Sequence, residues 1–88
     1  MSALPSDNNS DKTKRYARKR ELILDVATDL INEMGVKGMT FVDVAQRVEL
    51  NTTSITYYFK RKELLAEAVF ERSIDRMEEA VLKAAKQP

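Results

Sequence analysis

The stretch NTTSITYYFKRKE, Asn51 to Glu63, places three threonines, a serine and two adjacent tyrosines on a segment with helical periodicity. Thr is a mediocre helix former, and a merely solvated face is better served by Lys, Glu or Ala. At about 100° per residue, Ile55, Tyr58 and Phe59 fall on one side of such a helix. Thr52, Thr53, Thr56 and Tyr57 share the other. The first group is expected in the core and the second forms an exposed surface of hydroxyls. Asn51 is a favourable N-cap for this helix, and the basic run Lys60, Arg61, Lys62 follows it directly.

Toward the amino terminus, Glu49 and Leu50 connect this segment to another short helix. Its inner face is Phe41, Val44, Ala45 and Val48, and Thr40 with Asp43 forms a T-x-x-D variant of the capping box at its start. The run GVKGMT, Gly35 to Thr40, reads as a turn because of its two glycines. Before it, Ile23, Val26, Ala27, Leu30, Ile31 and Met34 draw one apolar stripe along a long first helix that begins near Thr13, with Gly35 as its stop. Residues 1–12, rich in Ser, Asn and Asp, read as a flexible leader. Toward the carboxyl terminus, Leu64, Leu65, Ala68, Val69, Met77, Val81 and Leu82 mark a fourth helix from Lys62 almost to the end. Ile74, Met77, Val81 and Leu82 lie beyond the reach of the first three helices and require another partner. No segment shows strand-like alternation, so the expected class is all-α. The chain divides into a leader at 1–12, a three-helix, homeodomain-like helix-turn-helix unit at 13–61 and a long fourth helix at 62–88.

Composition narrows the function. A chain of 88 residues has room for one small domain and not for a large enclosed substrate pocket. It contains no Cys and no His, which removes thiolate chemistry, the commonest metal ligand and the usual proton shuttle near neutral pH. No carboxylates cluster as a site, so an enzyme is not expected, nor is a cofactor. Residues 1–20 carry six basic and two acidic side chains, against four and six in 21–61 and five and six in 62–88. This asymmetry points to an anionic partner. No signal peptide or membrane-length apolar run is present, so the expected location is cytoplasmic with no membrane partner.

Two short helices joined by a tight turn, the second presenting small polar side chains, form the arrangement whose second helix enters the DNA major groove. Thr hydroxyls donate and accept, and Thr methyls can contact the thymine methyl. Tyr57 can reach a phosphate or a base edge, and Lys60, Arg61 and Lys62 are placed to neutralise phosphates. Arg15 and Arg18, in the basic run KTKRYARKR, are candidates for minor-groove or phosphate contact. The rival reading is a helical protein-interaction module that binds polyanions only nonspecifically.

From about Arg20 to Val69 the chain resembles the DNA-binding domain of TetR-family transcriptional regulators, through ILDVATDLINEMG, T-F-V-D-V-A and SITYYFKRKELL. The resemblance implies sequence-specific binding of double-stranded operator DNA, usually as a homodimeric repressor. A small-molecule effector would act only through a further carboxy-terminal domain. It also implies roles by position. Thr40 would meet a phosphate through its hydroxyl and amide, Thr52, Thr53 and Tyr57 would face the groove, and Lys62 would support a phosphate contact. Phe59 would lock the third helix to the first and fourth. Three positions depart from the family pattern. Glu49 replaces a frequent Gly, so ordinary right-handed angles are expected there. Thr53 replaces another frequent Gly, and Thr56 stands where a phosphate-binding Tyr is common.

Overall fold

A computed structural model describes the backbone of residues 3–86 and the side chains of residues 11–86. The described residues form four helices and no strand: α1 (Ala3–Gly38), α2 (Phe41–Val48), α3 (Thr52–Tyr58) and α4 (Lys62–Lys86). The all-α class and the helix-turn-helix order follow the periodicity.

α1 is longer at both ends than its apolar stripe. The expected leader lies outside the described residues only at 1–2; from Ala3 it continues as helix. Pro5 sits within the first turn, where backbone N–H groups have no helical partner, so it removes no hydrogen bond. At the other end Gly35 ends the first run of regular helix, as expected, and a second, short helical run follows it within α1. The Gly35 φ of 77° and ψ of 168° lie in a region essentially reserved for glycine, and helical turns resume to Gly38. Met39, assigned to a turn by sequence, is completely buried.

α2 starts at Thr40, which is extended (φ −127°, ψ 156°) and accepts a hydrogen bond from the Asp43 N–H at 3.1 Å. The reciprocal arm differs from the usual box. Thr40 Oγ1 donates to Asp43 Oδ2 at 2.9 Å, so the carboxylate is held by the hydroxyl. α3 starts in the same way at Asn51, whose Oδ1 accepts from the Ser54 N–H at 2.8 Å.

The turn between them corrects the expectation for Glu49. It adopts left-handed angles (φ 58°, ψ 41°), because the end of α2 closes as a Schellman motif. The Leu50 N–H donates to Ala45 O at 2.9 Å and the Glu49 N–H to Gln46 O at 3.3 Å. Two satisfied carbonyls, with Leu50 packed on the core, outweigh the left-handed strain on a residue with a Cβ.

The core is one cluster. Ile23, Leu24, Ala27 and Leu30 of α1 meet Met39, Val44, Ala45 and Val48, then Ile55 and Phe59, then Leu65 and Val69 of α4. Leu24, absent from the predicted stripe, is buried, whereas Met34 and Leu64 are exposed. Polar contacts join the long helices outside this core. The Arg72 Nη1 bonds Glu21 Oε1 and Asp25 Oδ1, both at 2.9 Å, and its Nη2 donates to Thr28 Oγ1 at 3.2 Å. Arg20 lies 5.1 Å from the centre of the Phe59 ring. Beyond that clasp Ile74, Met77, Val81 and Leu82 are exposed, as their sequence position implied.

The two positive-φ positions predict opposite responses. Gly35→Ala should destabilise by about 1–3 kcal/mol from backbone strain alone, since a Cβ there meets nothing within 4 Å. Glu49→Gly should stabilise by about 0.5–1 kcal/mol, because relief of left-handed strain exceeds the added freedom of the unfolded chain. Thermal melting checks both, at about 4–8 °C per kcal/mol for a domain of this size. A lower melting temperature for Glu49→Gly would show that its side chain contributes more than its backbone costs.

Candidate nucleic-acid interface

The exposed face of α3 is built by what lies opposite it. Ile55 is fully buried and Phe59, the extended C-cap residue, is nearly so, with its N–H donating to Ile55 O at 2.9 Å. With these two sides fixed, Thr52, Thr53, Thr56 and Tyr57 all face solvent, as the helical phase implied. Tyr58 is half-buried rather than fully in the core.

The hydroxyls on that face are not equivalent. Thr56 Oγ1 donates to Thr52 O at 3.0 Å, so its proton is committed to the helix and its oxygen can only accept from a ligand. The hydroxyls of Thr52 and Thr53 have no hydrogen-bond partner among the described residues and keep both capacities. The Thr40 hydroxyl has also committed its proton, to Asp43, which leaves its backbone N–H and the start of α2 to meet an anion.

The basic residues divide likewise. Lys60 and Arg61 are exposed in the connection to α4. Lys62 is half-buried, and its Nζ donates to Lys37 O at 2.9 Å, so it caps the end of α1 as well as opening α4. Arg15 and Arg18 are exposed and make no ion pair among the described residues. They stand on a helix and not on an extended arm. A helix about 10–12 Å across does not enter a minor groove about 6 Å wide. Entry of the helix body is therefore dropped, while minor-groove or phosphate contact by the Arg15 and Arg18 side chains stays open.

Sequence reasoning missed Tyr16. Its ring lies 4.7 Å from that of Tyr58 and 6.1 Å from that of Tyr57, and the two α3 rings meet edge to face at 5.2 Å. The signal was present, because Tyr16 continues the Ile23, Ala27, Leu30 ridge backwards at spacings of four and three through Arg20. Burial, and then the neighbouring Tyr57 and Tyr16 phenols, push the Tyr58 hydroxyl above its ordinary value of 10.0. Among the described residues no group of His, Cys, Asp or Glu is arranged to hold a metal, and no helix is long and apolar enough to cross a membrane.

Comparison with known proteins converges on the same segment. The family model for bacterial regulatory proteins, tetR family, matches residues 23–69. The HTH-type transcriptional regulator BetI of Klebsiella pneumoniae is 38% identical over 65 residues, which cover 74% of this chain and 33% of that protein. An uncharacterized HTH-type transcriptional regulator in the dhlA 5' region of Xanthobacter autotrophicus is 38% identical over 58 residues, 66% of this chain and 29% of that one. BetI of Escherichia coli K12 is 35% identical over 65 residues, covering 74% and 33%. The chain thus spans about a third of the length of these curated relatives. No solved structure matches it significantly.

The tyrosine cluster carries an alkaline prediction. With its pKa raised in the folded state, Tyr58 keeps a proton that the unfolded chain loses from about pH 10. Its stabilising contribution is complete below that pH and is lost as pH rises through the folded value. Urea unfolding at about pH 9 and about pH 11 should show a drop in stability that Tyr58→Phe makes smaller. An equal drop in both proteins would remove Tyr58 as its cause.

Proposed function

The chain belongs to the tetR family of bacterial regulatory proteins, and from that membership we propose that it binds double-stranded operator DNA as the reading part of a transcriptional repressor. The observation that carries this reading is the hydroxyl face of α3, held outward by Ile55 and Phe59 directly after a capped turn. The relatives' role as transcriptional regulators supports it and is not an enzymatic one.

In this reading α3 lies in the major groove. Thr52 and Thr53 donate to or accept from base edges, Thr56 accepts only, and Tyr57 reaches a base edge or a phosphate at the end of the face. The Thr40 amide and Lys60 meet phosphates flanking the groove, Lys62 adds charge there while capping α1, and Arg15 contributes a phosphate contact from α1. The contacts of 13–61 with DNA are then separate from the work of α4, which leads to dimerisation and effector binding. Homodimerisation on a palindrome and response to a small molecule belong to regions beyond the helix-turn-helix. The exposed Ile74, Met77, Val81 and Leu82 support that division, since they extend past the core that α1 to α3 provide. A single module of this kind buries about 600–1,000 Å² of protein surface on DNA, so affinity for one half-site is expected to be modest.

Selection from a randomised duplex library at two salt concentrations tests the reading. One motif should be enriched and keep its rank at the higher salt. Thr53→Ala or Tyr57→Ala should reorder the bound sequences. Lys60→Ala should weaken all of them about equally and reduce the salt slope by about 0.9. Binding with no motif, lost on every duplex as salt rises, would overturn sequence-specific recognition and leave a nonspecific polyanion binder.

A further inference from the structure

We propose that the amino-terminal half of α1 is a second, rigid DNA-contact element, in which Lys12, Arg15 and Lys19 form a phosphate-binding ridge that Tyr16 fixes against α3. The proposal rests on the DNA-binding reading above and specifies which cations of the basic run act and what positions them.

The sides of α1 can be told apart by their neighbours. Tyr16 touches Tyr57 and Tyr58 of α3. Lys19 lines a recess with Leu50, Ser54, Tyr57 and Tyr58, so it lies on the α3 side of Tyr16. Arg20 lies over Phe59 and shares a different recess with Leu64, Glu67 and Glu71, on the α4 side. Lys12 and Arg15 precede Lys19 by seven and four residues, which stacks all three on one ridge of the helix. That ridge borders the hydroxyl face of α3. Lys14 and Arg18, four apart, stand on another ridge turned away from α3.

Charge and order make the ridge suited to phosphates. All three cations are exposed, none has an ion-pair partner among the described residues, and no acidic residue interrupts 12–20. A basic segment that were flexible would lose conformational freedom on binding, and its two ridges would be interchangeable. Here the helix removes that cost, and the aromatic contact sets the distance between the ridge and α3. Tyr16 thereby acts as a positioning residue for the ridge and for the exposed Tyr57 ring.

A charge-matched comparison tests this in the full 88-residue chain, on one duplex bearing the selected motif and one unrelated duplex. Replacing Arg15 and Lys19 by Ala should lower the slope of log K against log salt by about 1.8 on both duplexes. The same loss of two charges through Lys14→Ala and Arg18→Ala should leave the slope nearly unchanged. Tyr16→Ala, which alters no charge, should also reduce the slope, and Tyr16→Phe should restore it; circular dichroism and melting separate this from unfolding. Equal slope losses for the two double variants would overturn the ridge and leave only long-range attraction. An unchanged slope in a folded Tyr16→Ala variant would overturn the positioning role. A chain that distinguishes the double variants but ranks no duplex above another would refute sequence-specific binding while leaving the ridge standing.

Discussion

Ile55 is the one side chain buried within the seven residues of α3, and the use of that helix depends on it. A helix this short does not form alone in water, where even segments of about 12–15 residues are marginal. Burying Ile55 supplies roughly 1.5–3 kcal/mol of hydrophobic stabilisation. Phe59, one turn later, adds a second anchor after the chain has left helical angles. Asn51 fixes the other end by accepting from Ser54. Three residues thus determine where the helix begins, which face is hidden and where it stops. The remaining positions are released from packing and can hold poor helix formers such as Thr.

The position of that small unit is then set by polar contacts between the long helices. Arg72, mostly covered, holds two carboxylates and a hydroxyl of α1 from α4. Its partners Glu21 and Asp25 remain half-exposed, so the pairs themselves contribute modestly. Their value lies in geometry, because a guanidinium fork tolerates few arrangements of three acceptors. Lys62 adds a clasp at the other end of the interface, where its ammonium satisfies the Lys37 carbonyl at the close of α1. A side chain with this structural duty cannot serve as a clean probe of phosphate contact, since its removal also loosens the junction that orients α2.

Most of this was legible in the sequence, for physical reasons that differ by residue. The caps at Thr40 and Asn51 were readable because capping depends on side chains within three positions. The faces of α2 and α3 were readable because strict phase leaves only Val44, Ala45, Val48 and Ile55 facing inward. Glu49 was misjudged because its backbone angle is imposed by hydrogen bonds to Ala45 and Gln46, whereas the residue itself signals no turn. Gly35 marked a real end of regular helix, and what the turn reading did not show is the short helical run that follows it and the burial of Met39 beyond. Tyr16 and Lys62 were missed as structural residues because their partners lie 41 or more and 25 positions away respectively. Periodicity has no access to such pairs.

The hydroxyl face itself shows why composition alone overstates the chemistry of a site. By residue type, Thr52, Thr53 and Thr56 offer three equivalent donors and acceptors. By structure, Thr56 has given its proton to the helix backbone, so of the three threonines only the two in the first turn of α3 present free hydroxyl donors. The amino-terminal residues of a recognition helix are also those that approach base edges most closely. In the proposed complex the threonines able both to donate and to accept therefore coincide with the positions nearest the bases. Thr56, one turn further out, is restricted to meeting the exocyclic amines of adenine or cytosine. Such a restriction narrows the base preference of that position without any additional contact, because the helix has already decided which way its hydrogen points.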